Sequence, residues 1–209
     1  VHNPHIVREM LTYCIQNSAT SLNILTLYNR FKARGLSVGK NSLYDYMSYF
    51  EDAYCLFQVP LYSFSHHKRS INPKKIYTVD QGLITAYGIK PQFDQAVRLE
   101  NCVFSALRRT NTRIYYYRTS SNREIDFLVD TGAKEPELLQ VCHSLADPDT
   151  AKRECAALEE AMAETGISSG TIITLDENKL PDPFRAHTRI TVTPIWQGLC
   201  DSVPGSPDR

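Results

Sequence analysis

The 209 residues are 42% hydrophobic and 22% charged, with 23 Lys and Arg against 23 Asp and Glu. That balance suits a globular chain with one large or two small cores and excludes a low-complexity or disordered one. No apolar run approaches the roughly 18 residues of a membrane span, and six scattered cysteines without a C-x-x-C pair read as reduced residues of a cytoplasmic protein, not as a disulfide framework or zinc site.

Pro4 can open a first helix that runs to about Asn17 on the stripe Ile6, Val7, Met10, Leu11, Cys14 and Ile15. A second helix carries Leu22, Leu25, Leu27, Tyr28 and Phe31, with Gly35 placed as its left-handed cap. A third begins after Gly39 and turns Leu43, Met47, Phe50 and Tyr54 inward. Residues 56–64 read as a strand, 66–75 as a polar turn with Asn72-Pro73, and 76–79 as a returning strand. Three helices followed by a hairpin predict a winged helix.

The second half begins with an amphipathic helix over 93–110. Strands are expected over 113–118, 123–130 and 137–142, then a helix over 148–165 and strands over 171–175 and 190–192. This helix, three-strand, helix, strand order is that of restriction-endonuclease-like domains. The predicted fold class is α/β, or α+β overall. The domains expected are a winged helix over 1–90 with its wing at about 56–79, a restriction-endonuclease-like αβββαβ domain over 91–203, and a flexible tail over 204–209.

Alternation along the strand of 123–130 puts Glu124, Asp126 and Leu128 on one face and Ile125, Phe127 and Val129 on the other. Paired as a hairpin with the next strand, Asp126 and Gln140 would converge beside Glu100. Two carboxylates and an amide oxygen suit a hard divalent ion, Mg²⁺ or Mn²⁺.

The runs Leu99-Glu100-Asn101, Tyr115-Tyr116-Tyr117-Arg118, Arg123-Glu124-Ile125-Asp126-Phe127 and Leu139-Gln140-Val141-Cys142 resemble the C-terminal module of archaeal and bacterial AAA-type ATPases of unknown function. Asn41 to Cys55 and Asn72-Pro73-Lys74-Lys75-Ile76-Tyr77, with Asp80 and Gly82-Leu83, are similar to the same pattern. The resemblance implies a winged helix, a PD-(D/E)XK nuclease-like domain and an upstream P-loop ATPase domain. It gives Glu100 and Asp126 the place of nuclease acids, puts Gln140 where an Asp or Glu is usual, and puts Cys142 where the lysine should be. Lys152, Arg118 or Arg123 could supply the missing cation. No Walker A sequence occurs, so ATP and its Mg²⁺ are expected only in a domain upstream of Val1.

Residues 1–90 hold 10 Lys and Arg against 5 acids, and residues 91–209 hold 13 against 18. His66, His67, Lys68, Arg69, Lys74 and Lys75 crowd the predicted wing, while Arg113, Arg118 and Arg123 surround the nuclease-like face. With Lys40 at the third helix, these are the candidate DNA contacts. Asp45, Glu51 and Asp52 on that helix oppose a phosphate backbone, and ion pairing within the domain is the competing role of the arginines. The expected function is a nucleic-acid-associated, noncatalytic or very weakly catalytic regulatory module of an AAA-type ATPase that partners its own ATPase domain. The alternatives are a divalent-metal nuclease and a protein-interaction module.

Overall fold

The computed structural model describes residues 3–63, 65, 72–87, 94–110, 113–132, 135–176, 179–182, 184 and 188–197. The first half carries α1 (Pro4–Gln16), β1 (Ser21–Leu22), α2 (Ile24–Ala33), α3 (Lys40–Asp52), β2 (Leu56–Val59), β3 (Lys74–Thr78) and α4 (Gln81–Tyr87). The second carries α5 (Asp94–Thr110), β4 (Ile114–Arg118), β5 (Glu124–Val129), β6 (Glu137–Val141), α6 (Pro148–Thr165), β7 (Gly170–Thr174) and β8 (Ile190–Pro194). The described residues form a mixed α/β structure with two sheets.

Local chemistry sets the helix ends. Asn23 caps α2 by accepting from the N–H groups of Leu25 and Thr26, and Asp147 caps α6 by accepting from Thr150. Gly35 at φ +74° and Gly166 at φ +76° take the left-handed conformation that ends α2 and α6. The expected second helix starts two residues late. Leu22 lies instead in β1, because the Asn23 cap fixes the helix start after it.

The first sheet has the order β1-β3-β2, all antiparallel, so β3 is its central strand. The α1, α2 and α3 stripes meet Leu56 and Ile76 of this sheet in one core. The expected turn of 66–75 ends earlier than predicted, since Lys74 and Lys75 pair with β1 and β2. Residues 66–71 and Phe64 lie outside the described residues, as does the proposed tail of 204–209.

The second sheet has the order β4-β5-β6-β7-β8, antiparallel through β6 and parallel beyond it. The crossover helix α6 covers one face through Ile125, Leu128, Leu138, Leu158, Met162 and Ile172. The other face does not meet α5 alone. Val103 and Phe104 of α5 share a core with Phe127, Val129, Leu139 and Ile173 of this sheet and with Phe57, Val59 and Tyr77 of the first. The rings of Tyr77 and Phe104 stack with centroids 4.3 Å apart.

Backbone pairing joins the halves as well. Tyr62 N–H donates to the Tyr116 carbonyl at 2.7 Å, and Tyr116 N–H donates to the Pro60 carbonyl at 3.1 Å. The strand expected over 56–64 thus leaves its own sheet after Val59 and continues beside β4.

Candidate functional site

Two strands and one helix build a buried acidic cluster between the halves. On α5, Leu99 faces the core and the next residues, Glu100 and Asn101, reach back to β3. Asn101 is fully buried: its Oδ1 accepts from Ser18 Oγ at 3.1 Å and from Thr78 N–H at 2.9 Å, and its Nδ2 donates to the Thr78 carbonyl at 3.2 Å. Glu100 Oε1 accepts from Tyr77 Oη at 2.7 Å and from Lys75 Nζ at 2.9 Å.

The second carboxylate arrives through a break in strand alternation. Between Tyr115 and Tyr117 the β4–β5 register shifts, so Tyr116 is spanned by two residues of β5. Ile125 and Leu128 consequently pack toward α6, while Phe127 and Val129 pack toward α5 and β3. Regular alternation over the whole strand had placed Leu128 with Glu124 and Asp126. The bulge separates them, leaving both acids on the side facing β3, each within 3.0 Å of the Lys75 ammonium.

Lys75 is the centre of the cluster. Its Nζ lies 2.9 Å from Glu100 Oε1, 2.9 Å from Glu124 Oε1 and 3.0 Å from Asp126 Oδ1, and the residue is 2% exposed. An ammonium has three N–H donors, one for each carboxylate. Expected as a nucleic-acid contact on the wing, Lys75 instead stands in the middle strand of the first sheet, with its ammonium committed away from solvent.

Each carboxylate has a second holder. Asp126 Oδ2 accepts from Val141 N–H at 3.0 Å, Glu124 Oε2 accepts from Arg118 at 2.7 Å, and Glu100 has the Tyr77 hydroxyl. Burial, and then repulsion from Asp126, push the Glu100 carboxyl up to about 7, against the pull of Lys75. Burial works to lower the Lys75 ammonium, but Asp126, Tyr77, Glu100 and Glu124 together hold it well above its ordinary value. For Glu124, burial acts upward and is overcome by Lys75 and Arg118, so its carboxyl lies below the usual range.

Gln140 and Cys142 do not enter this cluster. Leu139 and Val141 face the shared core, and Leu138 faces α6. Gln140 lies on the α6 side and hydrogen-bonds the buried Glu154 of that helix. Its Oε1 also accepts from Asp126 N–H at 3.3 Å, so the amide oxygen expected beside the two carboxylates is bound to the sheet backbone. The Cys142 thiol donates to the Ser144 carbonyl at 3.0 Å and packs in the α6 core. Among the described residues, no group of three or more His, Cys, Asp or Glu side chains is arranged to hold a metal ion.

The other candidate cations are dispersed. Arg118 pairs with Glu124, Arg123 with Glu160 at 3.5 Å, and Arg113 with Asp130 at 3.6 Å, all on the surface. Lys152, weighed as a replacement for the missing lysine, is exposed on α6, and the cation inside the pocket is Lys75. Lys40 is exposed at the start of α3, and half-buried Lys74 lines a groove with Tyr44, Met47, Glu51 and Gln58. Lys68 and Arg69 lie outside the described residues. Of the three adjacent tyrosines, Tyr116 is buried, and half-buried Tyr115 and Tyr117 pack edge-on against Tyr62.

Comparison with known proteins divides the chain in two. Residues 1–92 match a domain of unknown function, DUF8612, and residues 98–197 match another, DUF4143. The chain is 27% identical over 206 residues to the uncharacterized protein MJ1544 of Methanocaldococcus jannaschii, covering 94% of this chain and 45% of that protein. Among solved structures it is similar to a chain of the Thermococcus gammatolerans assembly of McrB AAA+ hexamers with bound McrC. That likeness has 12% identity and a TM-score of 0.34, covering 88% of this chain and 46% of the other, which is too distant to establish a shared fold. The chain spans less than half the length of each of these relatives. Among the described residues no helix is long and apolar enough to cross a membrane.

Proposed function

We propose that this chain is a noncatalytic module of an AAA-type ATPase, in which a winged-helix domain and a PD-(D/E)XK-like domain act as one regulatory body. The association with an ATPase rests on the sequence resemblance carried by residues 99–101, 115–118, 123–127, 139–142 and 72–77. ATP turnover belongs, on this reading, to another part of the full protein. The order α5-β4-β5-β6-α6-β7 supports the nuclease-like ancestry of the second domain, and α1 to α3 with β1, β2 and β3 support the winged-helix reading of the first.

One observation carries the absence of catalysis: the point between Glu100 and Asp126 is taken by the Lys75 ammonium. The Glu100, Asp126 and Gln140 set does not fit a divalent ion in this arrangement. Its two carboxylates already share a cation, and Gln140 Oε1 is turned to a backbone N–H. Cys142 cannot place a positive charge beside an attacking water.

The residues of 99–101 and 74–78 then have a structural role that accounts for their chemistry. They lock the winged-helix half to the sheet through Lys75, Tyr77, Thr78, Glu100 and Asn101. Nucleic-acid contact, on this reading, falls to Lys40, Lys68, Arg69 and Lys74 on the first half. Arg113, Arg118 and Arg123 are secondary, because each is already paired with an acid.

Supercoiled plasmid incubated with the protein and Mn²⁺ tests the reading. The expected result is intact plasmid. Nicking that requires Mn²⁺ and disappears in Asp126→Ala would replace this reading with the nuclease one. Duplex binding followed by fluorescence anisotropy should be weak, should fall with salt, and should fall further in a Lys68→Ala, Arg69→Ala double variant.

A further inference from the structure

We infer that Lys75 is the resident cation of the nuclease-like pocket, a covalently attached counter-ion that excludes divalent metal and ties the two halves together. This rests on the noncatalytic reading above and deepens it by naming what replaced the metal.

The geometry is that of a filled cation site. Three carboxylate oxygens from three positions, Glu100, Glu124 and Asp126, converge on one nitrogen at 2.9 to 3.0 Å, the length of charge-assisted N–H···O bonds. Each donor of the ammonium has its own acceptor, and the side chain is 2% exposed, so no room is left for an ion on the same oxygens. An ammonium also brings its charge from β3 of the other half, which a free ion cannot do. Neutralising the acids and docking the halves become one interaction.

The acids are held independently of Lys75. Val141 N–H, Arg118 and the Tyr77 hydroxyl each fix one of them. The three oxygens stand at ammonium spacing, 2.9 to 3.0 Å from Nζ, and not at the roughly 2.1 Å spacing of a small hard divalent ion. Truncating Lys75 should therefore leave acids that can ligate such an ion, completed by water, once they draw inward. Exclusion of metal from the natural protein follows from Lys75 and not from a collapsed pocket.

The test is Mn²⁺ binding, followed by electron paramagnetic resonance of free Mn²⁺ and by the shift in Tm. Natural protein should not take up Mn²⁺ at this pocket or gain Tm from it. Lys75→Ala should bind Mn²⁺ and recover Tm with it, and Lys75→Ala with Asp126→Asn should lose both effects. If Lys75→Ala folds only when Mn²⁺ is present, the inference is also supported. A folded Lys75→Ala that ignores Mn²⁺ would overturn it, and so would natural protein that binds Mn²⁺ as well as the variant.

Should Lys75→Ala fail to fold under all conditions, ¹⁵N-lysine spectra of the natural protein decide instead. A slowly exchanging, protonated Lys75 Nζ signal untouched by paramagnetic Mn²⁺ supports the inference, and its broadening by Mn²⁺ overturns it. These outcomes separate from the plasmid assay. Absence of cleavage together with a metal-indifferent Lys75→Ala removes only this inference, whereas cleavage by the natural protein removes the noncatalytic reading.

Discussion

Replacing Lys75 with Met keeps most of the side chain's volume and deletes its charge, which isolates the electrostatic role of the ammonium. The three acids around it would remain, one of them 11% exposed and another 15% exposed as side chains. Breaking a buried pair by removing one partner costs roughly 3–5 kcal/mol, since the remaining charge loses its compensation without regaining water. By contrast, an exposed pair such as Arg34 with Glu9 contributes roughly 0–1 kcal/mol. Glu100 and Glu124, both held down by Lys75, can escape by taking up protons, and their carboxyls should move upward in the folded variant. A carboxylate raised in the folded state contributes stability at low pH that is lost as pH rises, so the deficit of Lys75→Met should be largest near pH 8 and shrink toward pH 5. Urea unfolding of both proteins across that range measures it, with a shared core favouring one transition. A deficit below about 1 kcal/mol at pH 8, or one that does not change with pH, would refute the reasoning.

Three further substitutions probe the same lock and its surroundings. Glu100, pushed up to about 7 in the folded state by burial and by Asp126, should make the protein lose stability as pH climbs through that window; Glu100→Gln, which retains an acceptor for Tyr77, should flatten this slope in urea unfolding measured from pH 4.5 to 7.5. Asn101→Ala leaves the buried Thr78 N–H and carbonyl and the Ser18 hydroxyl without their acceptor or donor. It should cost at least about 1–3 kcal/mol in the same assay, and hydrogen exchange should show the loosening at Thr78 first. In Gly170→Ala the new methyl would lie 2.9 Å from Leu158 Cδ2, so roughly 1–3 kcal/mol of overpacking is expected as a lower Tm.

The element order was legible because caps and stripes agree with the fold. The limits expected for α6 match those observed, since Asp147-Pro148 and Gly166 mark both ends. The two-residue β1 was not legible, because a segment that short has no period to read, and its identity comes only from pairing with β3. The helix Gln81–Tyr87 was missed for a similar reason: one buried residue, Ile84, does not make a stripe.

At the site, Glu100 and Asp126 meet as the sequence leads one to expect, Glu124 and Lys75 join them, and Gln140 reaches Asp126 only through its backbone N–H. Strand alternation cannot register a bulge, so the grouping of Leu128 with Asp126 was lost at the β4–β5 register shift. Gln140 was expected beside the acids, but its own strand turns it to α6 and Glu154. Lys75 reads in the sequence as part of the basic run of the wing. Its separate role had a signal in the sequence: Lys75 and Tyr77 are two apart on a strand whose intervening residue, Ile76, is apolar, which places a charge and a phenol on one face. That such a face would be buried depended on β3 being central and on α5 lying across it, facts of tertiary packing alone.

The most direct measurement is a crystal structure of the natural protein grown in Mn²⁺, with an anomalous difference map at the pocket. No anomalous peak is expected between Glu100 Oε1 and Asp126 Oδ1, with the Lys75 ammonium in that place. An anomalous peak there, with Lys75 displaced toward solvent, would contradict that expectation.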